Sequence, residues 1–518
     1  MYPTRALVVS AVSALLLLGA RPASAGTQTV CPSGCPYTQI GPAVAAAHDG
    51  DRITIGRGRY TGGITVDVSV TLVGEGPGAT VIRGGGPVLT VGVAGAEHEP
   101  TVTIDGVGIT GGVTVGNLAP SSGRGGGVYI PRAAGPAAGA TVTIRNSVIR
   151  GNTVAPREAI DSGDPCCPSA DSGGGGISND GTLTLQNTVV SDNRADAASG
   201  LASNSVGGGI LNRAFGTLTL TGSAVTGNRV TVAPPNGRFT SGAGIEMVGG
   251  ALTVDRSLIA GNRAESSLAL ASQIEQSTAG GGIHVQENAS ATIRRTTISG
   301  NSVVATNSIG DASAFSGGLH TNGPLMLTDS TLSDNHAEAT TVSGLADVDS
   351  GGAEINVDAT VRGTRFTANS AAARSSTGMA VVRGGGVQTA AFNQMTISDS
   401  VISGNRITAS TAAGSASVRG GGLGNFGVLT LRNTSIGHNS AAVGGPGGLA
   451  QGGGVVNGLF PDGPQAVRLT LLDSAVTGNT LTAAAGGTAH GGGLFTPFPV
   501  TLTDSVVAGN LPDQCYGC

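Results

Sequence analysis

The sequence contains no tryptophan and no lysine, and only 14 of its 518 residues are aromatic. Charged residues make up 11 % of the chain, too few for a protein kept unfolded by its own charge. The formal net charge of −5 argues against a basic surface, so we expect no nucleic-acid partner. Glycine is plentiful, at 89 residues, but does not recur at every third position, which excludes a collagen triple helix.

The first 25 residues have the features of a secretory signal peptide. An apolar run over residues 6–20 follows Arg5, and Ala23-Ser24-Ala25 forms a small-x-small cleavage site before Gly26. The run is short for a membrane span, and a retained anchor is the competing interpretation. No later segment has 18 consecutive apolar residues, so we expect no transmembrane segment after signal removal. The sequence therefore predicts a secreted protein, either extracellular or at the cell surface.

The cysteines fit an exported chain, in which thiols are expected to be oxidised. There are two local pairs at the ends of the mature chain and one adjacent pair between them: Cys31, Cys35, Cys166, Cys167, Cys515 and Cys518. We interpret these six residues as disulfide candidates. The Cys-x-x-Cys spacing of the last pair also fits zinc, which remains the alternative. Otherwise we predict no metal site and no cofactor.

An internal repeat is the strongest signal in the sequence. An asparagine recurs in eleven copies, at intervals of 31–41 residues. In every copy the third, eighth and tenth residues before this asparagine are apolar, and the fifth is Ser or Thr. The column consists of Asn152, Asn193, Asn228, Asn262, Asn301, Asn335, Asn369, Asn405, Asn439, Asn479 and Asn510.

Each copy predicts three short strands. The apolar-x-apolar alternation, as in Leu183-Thr184-Leu185, has the period of a strand, and a second strand contains the apolar residue before the asparagine. A third strand begins at a glycine cluster such as Gly207-Gly208-Gly209-Ile210. One such unit buries too little apolar surface to fold alone, so the units must stack. The sequence predicts an all-β, right-handed parallel β-helix of about 13–14 three-strand rungs, roughly 65 Å long.

A structural role accounts best for the asparagine column. Asn tolerates a left-handed turn, and Asn side chains stacked at strand spacing can hydrogen-bond along the axis as a ladder. A row of ligand contacts is the alternative. The glycine clusters are explained by close packing of successive backbones, because no Lys-Ser/Thr and no helix signal follows them as in a phosphate-binding loop.

The two ends differ from the repeats. Ile40, Val44 and Ala47 have helical spacing, which predicts a short helix capping the open N-terminal edge. Ile53-Thr54-Ile55 is then predicted to be the first strand. We divide the chain into a signal peptide (1–25), an N-terminal cap with a short helix (26–50), irregular first rungs (51–118), repeated rungs (119–510) and a C-terminal tail with a cysteine pair (511–518).

The start of the predicted β-helix resembles a known group. Tyr37-Thr38-Gln39-Ile40, Asp49-Gly50-Asp51-Arg52-Ile53 and Gly58-Arg59-Tyr60 look like the opening of pectate-lyase-like right-handed parallel β-helix proteins. The Gly-Gly-Gly-apolar and Gly-Asn patterns are similar to the polymorphic outer-membrane protein repeat, although only Phe366-Thr367-Ala368-Asn369 matches that family's Phe-x-x-Asn motif. The resemblance covers roughly residues 37–510 and implies the fold rather than an activity.

Catalytic motifs of such proteins are missing from this sequence. Hydrolases of the polygalacturonase type carry Asn-Thr-Asp, Asp-Asp, Gly-His-Gly and Arg-Ile-Lys, none of which occurs here. The seven histidines are scattered along the sequence, with His336 and His438 in or beside the Asn turn. Asp329, Asp399, Asp473 and Asp504 share one column, but other copies have Asn there, which favours a turn over catalysis. We therefore name no catalytic residue and favour a protein that is not an enzyme.

The segments between each asparagine and the next glycine cluster are rich in Ala, Ser and Thr, as in residues 194–206 and 406–419. We expect them to be loops that leave the same corner of every rung and stack into a lateral polar wall. The expected function is non-catalytic adhesion, or binding of extracellular polysaccharide or cell-wall material, through this wall. One alternative is a polysaccharide lyase or glycoside hydrolase acting on acidic polysaccharide. The other is a passive structural spacer.

Overall fold

The computed structural model describes residues 25–116, 125–135, 139–156, 172–197, 203–232, 237–268, 276–390, 393–458 and 467–518. The predicted signal peptide up to residue 24, and also Cys166 and Cys167, lie outside these residues. In the described part the chain forms a parallel β-solenoid, as predicted, with all paired strands parallel. Five sheets run along its axis, and we number them in the order in which the chain passes through them within one turn.

One turn shows the order of the sheets. The chain passes through Thr217–Thr221 in sheet 1, Ala224–Thr226 in sheet 2, Arg229–Val232 in sheet 3, Gly237–Ser241 in sheet 4 and Ile245–Met247 in sheet 5. It then enters sheet 1 of the next turn.

Sheets 1, 2 and 5 correspond to the three predicted strands and contain 15, 14 and 14 strands. Sheet 1 consists of Thr27–Val30, Arg52–Ile55, Thr71–Gly74, Thr101–Asp105, Thr141–Arg145, Thr182–Gln186, Thr217–Thr221, Gly250–Asp255, Ala289–Arg294, Leu325–Thr328, Ala359–Arg362, Gln394–Ser398, Val428–Arg432, Arg468–Leu472 and Val500–Thr503. Sheet 2 consists of Gly58–Thr61, Thr80–Arg83, Gly108–Thr110, Val148–Arg150, Val189–Ser191, Ala224–Thr226, Leu258–Ala260, Thr297–Ser299, Thr331–Ser333, Arg365–Thr367, Val401–Ser403, Ser435–Gly437, Ala475–Thr477 and Val506–Ala508. Sheet 5 consists of Ile64–Val66, Leu89–Val91, Val128–Ile130, Ile177–Asn179, Ile210–Asn212, Ile245–Met247, Ile283–Val285, Leu319–Thr321, Ala353–Ile355, Val387–Thr389, Leu423–Asn425, Val455–Asn457, Leu494–Phe495 and Cys515–Tyr516.

Sheets 3 and 4 contain 11 and 10 strands and were not expected from the sequence. Sheet 3 consists of Val113–Gly116, Thr153–Pro156, Arg194–Ala197, Arg229–Val232, Arg263–Leu268, Ser302–Asn307, His336–Thr341, Ser370–Ser375, Arg406–Thr411, Ser440–Gly444 and Thr480–Ala483. Sheet 4 consists of Ser172–Gly173, Ser203–Val206, Gly237–Ser241, Gln276–Ala279, Ala312–Phe315, Ala346–Asp349, Ala380–Arg383, Ala416–Arg419, Leu449–Gln451 and Thr488–His490. About 11 turns of the solenoid therefore carry these additional strands.

The main core lies between sheets 1, 2 and 5. Alternate side chains of each strand point inwards, so Leu218, Leu220, Val225 and Ile245 are all fully buried within one turn. The parallel register places like residues over one another, for example Leu220 over Leu185. The apolar columns of the sequence are thus the inward-facing positions of the three sheets.

Sheets 3 and 4 enclose a second, separate core, and we call these two sheets the fin. Its interior is made of small side chains, including Ala305, Ala314, Ala339 and Val348, all fully buried. Because alanine side chains are small, the two sheets can pack closely against each other. The expectation of loops for residues 194–206 and 406–419 was therefore wrong: each segment supplies one strand to sheet 3 and one to sheet 4.

From residue 25 onwards the N-terminal region contains one helix, Ile40–Ala45, with Ile40 and Val44 buried against the first strands. The chain reaches sheet 1 earlier than predicted, because Thr27–Val30 precedes the helix and pairs with Arg52–Ile55. The strand containing Ile53-Thr54-Ile55 is therefore the second strand of the sheet and not the first.

Candidate functional site

The asparagines of the column lie buried where the chain passes from sheet 2 into sheet 3. The Asn335 side-chain amide donates to Oδ1 of Asn369 at 2.9 Å and to the backbone oxygen of Ile298 at 3.0 Å. Its own Oδ1 accepts from the backbone nitrogen of Asn301 at 3.1 Å and from the Asn301 side-chain amide at 3.0 Å. The same side-chain bond joins every successive asparagine from residue 152 to residue 510. With these bonds made, every asparagine side chain after Asn152 uses both of its donors and both acceptor positions of its oxygen, which leaves no hydrogen-bonding capacity for a ligand.

The left-handed turn was expected at the asparagine itself, and this was wrong. The residue immediately before each asparagine has positive φ, as for Asp334 at 56° and Gly300 at 61°. A second left-handed position lies at the corner between sheets 1 and 2. Asp329, Asp399 and Asp473 occupy it with φ of 49°, 52° and 51°, and Asp504 with 49°, which agrees with the turn interpretation of these carboxylates.

Two of the cysteine pairs are joined by disulfides. Cys31 and Cys35 have Cα atoms 5.6 Å apart, and those of Cys515 and Cys518 are 6.0 Å apart. Cys515 and Cys518 therefore form a disulfide and not the zinc site of the alternative interpretation. Nowhere in the described residues do three or more His, Cys, Asp or Glu side chains group as a metal site.

The outer face of sheet 3 presents a regular polar surface. Its first outward column runs in register through Thr153, Arg194, Arg229, Arg263, Ser302, His336, Ser370, Arg406, Ser440 and Thr480. The next outward column contains three carboxylates, Asp196, Glu265 and Glu338, among Thr, Val and Ala. Glu265 pairs with both Arg229 and Arg263. In the described residues, a parallel sheet of 11 strands, about 50 Å long at the usual strand spacing, takes the place of the lateral wall of loops expected from the sequence.

A second charged cluster of this face lies two turns further along. Glu338 lies 3.3 Å from Arg374 and 3.4 Å from Nε2 of His336. The hydrogen bond with His336 and the positive charge of Arg374 hold the pKa of the Glu338 carboxyl below its usual value, although partial burial opposes this. Glu338 is therefore a carboxylate at neutral pH and can accept hydrogen bonds from ligand hydroxyl groups.

A row of buried polar side chains lies where sheet 4 approaches sheet 5. In each three-residue strand of sheet 5 the outer residues point into the main core, so the middle residue points away from it towards the fin. The register of sheet 5 aligns these middle residues over five turns: Glu246, His284, His320, Glu354 and Gln388. Together with Asp347, Asp349 and Arg383 of sheet 4, they form what we call the polar seam.

Hydrogen bonds and ring contacts connect the first half of the seam. Nδ1 of His284 lies 3.0 Å from each carboxylate oxygen of Glu246, which also accepts from Gln286 at 2.7 Å. The rings of His284 and His320 have centroids 4.9 Å apart, so these two of the scattered histidines meet in adjacent turns. Phe315 lies 5.7 Å from the His320 ring on the side of the fin.

Charged groups converge in the second half of the seam. Nη1 of Arg383 donates to Asp347 at 2.6 Å and to Asp349 at 2.8 Å. Burial and the neighbouring Asp349 raise the pKa of Asp347 to about 7, against the opposing charge of Arg383. Burial, followed by the charge of Asp349, also raises the pKa of Glu354 well above its usual value. Within the part of the chain that the structure describes, Oε2 of Glu354 and both amide atoms of Gln388 have no hydrogen-bond partner.

The seam was not apparent from the sequence because its members are ordinary polar residues at scattered positions. One signal could have found it: each sheet 5 member follows the apolar residue that ends a glycine-containing turn, as in Gly281-Gly282-Ile283-His284. Aligned on that position, Glu, His, His, Glu and Gln form one column. Asp347, whose side chain is 19 % exposed, can exchange a proton with solvent. The other side chains of the seam are almost completely buried.

These features place the chain in the class of parallel β-solenoid repeat proteins. No protein-family model matches the chain, and no curated protein or solved structure matches it. Among the described residues, no helix combines the length and the apolar character needed to cross a membrane.

Proposed function

We propose that the protein is a secreted or cell-surface, non-catalytic β-solenoid that binds polysaccharide or cell-wall material along the outer face of sheet 3. The observation that carries this proposal is the first outward column of that sheet, in which Arg, His, Ser and Thr repeat in register. We also propose that the protein is a member of the pectate-lyase-like group and is related to the polymorphic outer-membrane protein repeats. Only the sequence motifs support these two relationships.

The chemistry of the face suits a polymer of hydroxylated units. Arg229 and Arg263 are exposed donors with planar guanidinium groups, and Glu265 is an acceptor beside both. Glu338 is an acceptor beside Arg374. In the first outward column a hydrogen-bonding side chain, Arg, His, Ser or Thr, recurs at about 4.8 Å, the spacing of strands, so an extended chain can make a similar weak contact many times. Repeated weak contacts on one rigid platform give useful affinity by raising the effective concentration of each further contact.

The test is co-sedimentation of the mature protein with insoluble polysaccharides and isolated cell walls. The variant Arg229→Ser/Arg263→Ser removes two donors, and Ser is already present at the same position in Ser302 and Ser370, so the strands should form. Point substitutions are needed because deleting whole segments would remove strands with buried inner side chains. We expect at least about a tenfold loss of affinity for two charged hydrogen bonds.

The control is Arg59→Gln/Arg365→Gln, which makes the same charge change at two exposed positions of sheet 2. It should bind as the wild type does. Absence of binding to every polysaccharide would leave the passive spacer as the better description. Equal binding by the sheet 3 variant would contradict the assignment of the surface.

A second candidate is a lyase or hydrolase of acidic polysaccharide. The convergence of Arg383 with Asp347 and Asp349 favours it, since a carboxyl with a pKa of about 7 can act as an acid or a base near neutral pH. Incubation with uronic-acid polymers, with and without Ca²⁺, tests this. New reducing ends or products absorbing in the ultraviolet, lost in Asp347→Asn, would support the enzyme.

A further inference from the structure

A concavity of about 550 Å³ lies at the corner between sheets 1 and 2, away from both the fin and the polar seam. It crosses four turns, and its lining includes Gly222, which lies between Asn187 of the preceding turn and Arg256 of the next. Its floor is apolar, formed by Val189, Ala224 and the partly exposed Leu258.

One wall of this concavity carries an excess of positive charge. Arg256 and Arg295 line it, and Arg294 is adjacent. One carboxylate, Asp255, holds all three: Arg295 donates to it at 2.7 and 2.9 Å, and the Nε atoms of Arg256 and Arg294 lie 3.3 and 3.4 Å away. Three guanidinium groups against one carboxylate leave a local charge of about +2.

Asp255 holds the guanidinium groups in place without neutralising them. Its side chain is only 7 % exposed, whereas those of Arg256, Arg294 and Arg295 are 62 %, 50 % and 51 % exposed. Although burial acts to raise it, the pKa of Asp255 lies below its usual value because of the hydrogen bond from Arg295 and the charges of Arg256 and Arg294. Asp255 therefore stays ionised and fixes the arginines while their outer edges face solvent.

The backbone at this site is also unusual. Arg256 and Arg295 have φ of 48° and 50°, in the left-handed region that large side chains seldom adopt. In the other repeats this corner position carries Gly, Asn or Asp, for example Gly222, Asn187 and Asp329. Two consecutive turns thus accept a strained residue at the place where the positive charge lines the concavity, and such strain is typically retained at functional sites.

We infer that this concavity is a subsite for an anionic sugar unit, whose carboxylate or sulfate group is bound by Arg256 and Arg295 and whose ring lies on Leu258. This rests on the proposed polysaccharide function and specifies its ligand as an anionic polymer. Arginine binds oxyanions through paired hydrogen bonds in the plane of the guanidinium group. The apolar floor fits the C–H face of a sugar ring, so the site combines charge with an apolar contact and differs from the hydrogen-bonding face of sheet 3.

The test compares dextran sulfate and polygalacturonate with neutral dextran, by titration at low and moderate salt. The variant is Arg256→Asn/Arg295→Asn, because Asn already occupies this left-handed position at Asn187 and Asn433 and should fold there without added strain. We expect affinity for the two anionic polymers to fall at least about tenfold, with a weaker dependence on salt. Binding of the insoluble polysaccharides used for sheet 3 should be unchanged.

The charge-matched control is again Arg59→Gln/Arg365→Gln, which should leave anionic binding intact. Equal loss in this control would show that net charge alone is responsible and would overturn the subsite. Unchanged anionic binding in Arg256→Asn/Arg295→Asn, with loss in the sheet 3 variant, would overturn the subsite and retain the proposed function. If the wild type binds no polysaccharide, both fail together.

Discussion

Glu354 and His320 face each other in adjacent turns, in surroundings that shift the pKa of each towards its uncharged form. Oε2 of Glu354 lies 3.9 Å from Nε2 of His320, and both residues are almost completely buried. Burial and the charge of Asp349 raise the pKa of Glu354, whereas burial and the neighbouring His284 lower the pKa of His320. Each shift favours the uncharged form, since an isolated charge is costly in such surroundings.

The first prediction concerns the pH dependence of stability. Because the pKa of Glu354 is raised in the folded protein, its contribution to stability is complete at pH values below its unfolded pKa of about 4.5. This contribution is lost as the pH rises through its pKa in the folded protein. Glu354→Gln, which keeps the acceptor for Asn356, should unfold like the wild type near pH 4.5 and be more stable at pH 8. Guanidinium unfolding midpoints at the two pH values measure this.

Glu338→Gln on sheet 3 is the matched control with the opposite sign. The pKa of Glu338 is lowered, so its carboxylate stabilises the fold above about 4.5, and this is lost as pH falls through the folded value. Its Gln variant should therefore be less stable than the wild type at pH 8 and similar in acid. The same sign for both variants would show that the buried position of Glu354 is not what matters.

The second prediction concerns the asparagine ladder. Asn335→Ala leaves the Asn301 amide groups and the Ile298 carbonyl without their buried partners, which should cost roughly 3 kcal/mol or more. Ser333→Ala, at a partly exposed position two residues earlier, should change stability by less than about 0.5 kcal/mol. Thermal unfolding of the two variants measures the difference. Similar melting temperatures would mean that the ladder contributes little.

The third prediction separates two roles of glycine. A Cβ at Gly209 would lie 2.6 Å from the Gly244 carbonyl oxygen and 2.9 Å from Nδ2 of Asn228, so Gly209→Ala must push successive turns apart. We expect a cost at the upper end of roughly 1–3 kcal/mol. Gly261 instead needs positive φ, at 63°, and its Cβ would meet nothing closer than 3.9 Å. Gly261→Asn should cost no more than about 1 kcal/mol, and chemical unfolding of both variants tests the contrast.

The fourth prediction concerns the interior of the fin. Ala339 is fully buried in the second core, so Ala339→Leu should overpack it and cost roughly 1–3 kcal/mol. Ala442 lies on the outer face of sheet 3, where Leu should change stability by less than about 0.5 kcal/mol. Limited proteolysis of the fin strands, with the main sheets as internal reference, shows where the loosening occurs. Equal behaviour of the variants would contradict a closely packed fin.

The main solenoid could be predicted because its signals are strict in spacing and type. Positions such as Leu183, Leu185 and Val190 are apolar in every copy, since each faces a core that admits no polar side chain. The hydrogen bonds of the Asn ladder also need one side-chain type at one corner. Such constraints keep one kind of residue at the same position of every copy, and this column can be recognised in the sequence without knowing the structure.

The fin could not be predicted for the converse reason. Its buried residues are mostly alanine, which also occurs in loops, and its strands are joined by segments of variable length, so no fixed period survives. The same applies to the seam, whose partners Arg383 and Glu354 come from different sheets. The strand Thr27–Val30 was missed because it has no apolar alternation and lies before the helix.

The ladder also has a consequence for how such a chain can change in size. Each side-chain amide donates to the following turn and accepts from the preceding one, and Gln514 provides the last acceptor for Asn510, at 3.2 Å. Duplication or loss of one complete repeat therefore leaves every remaining amide with a neighbour, whereas loss of part of a repeat breaks the chain of bonds at two points. The solenoid can therefore gain or lose only complete repeats, and its length along the axis changes in steps of one strand spacing.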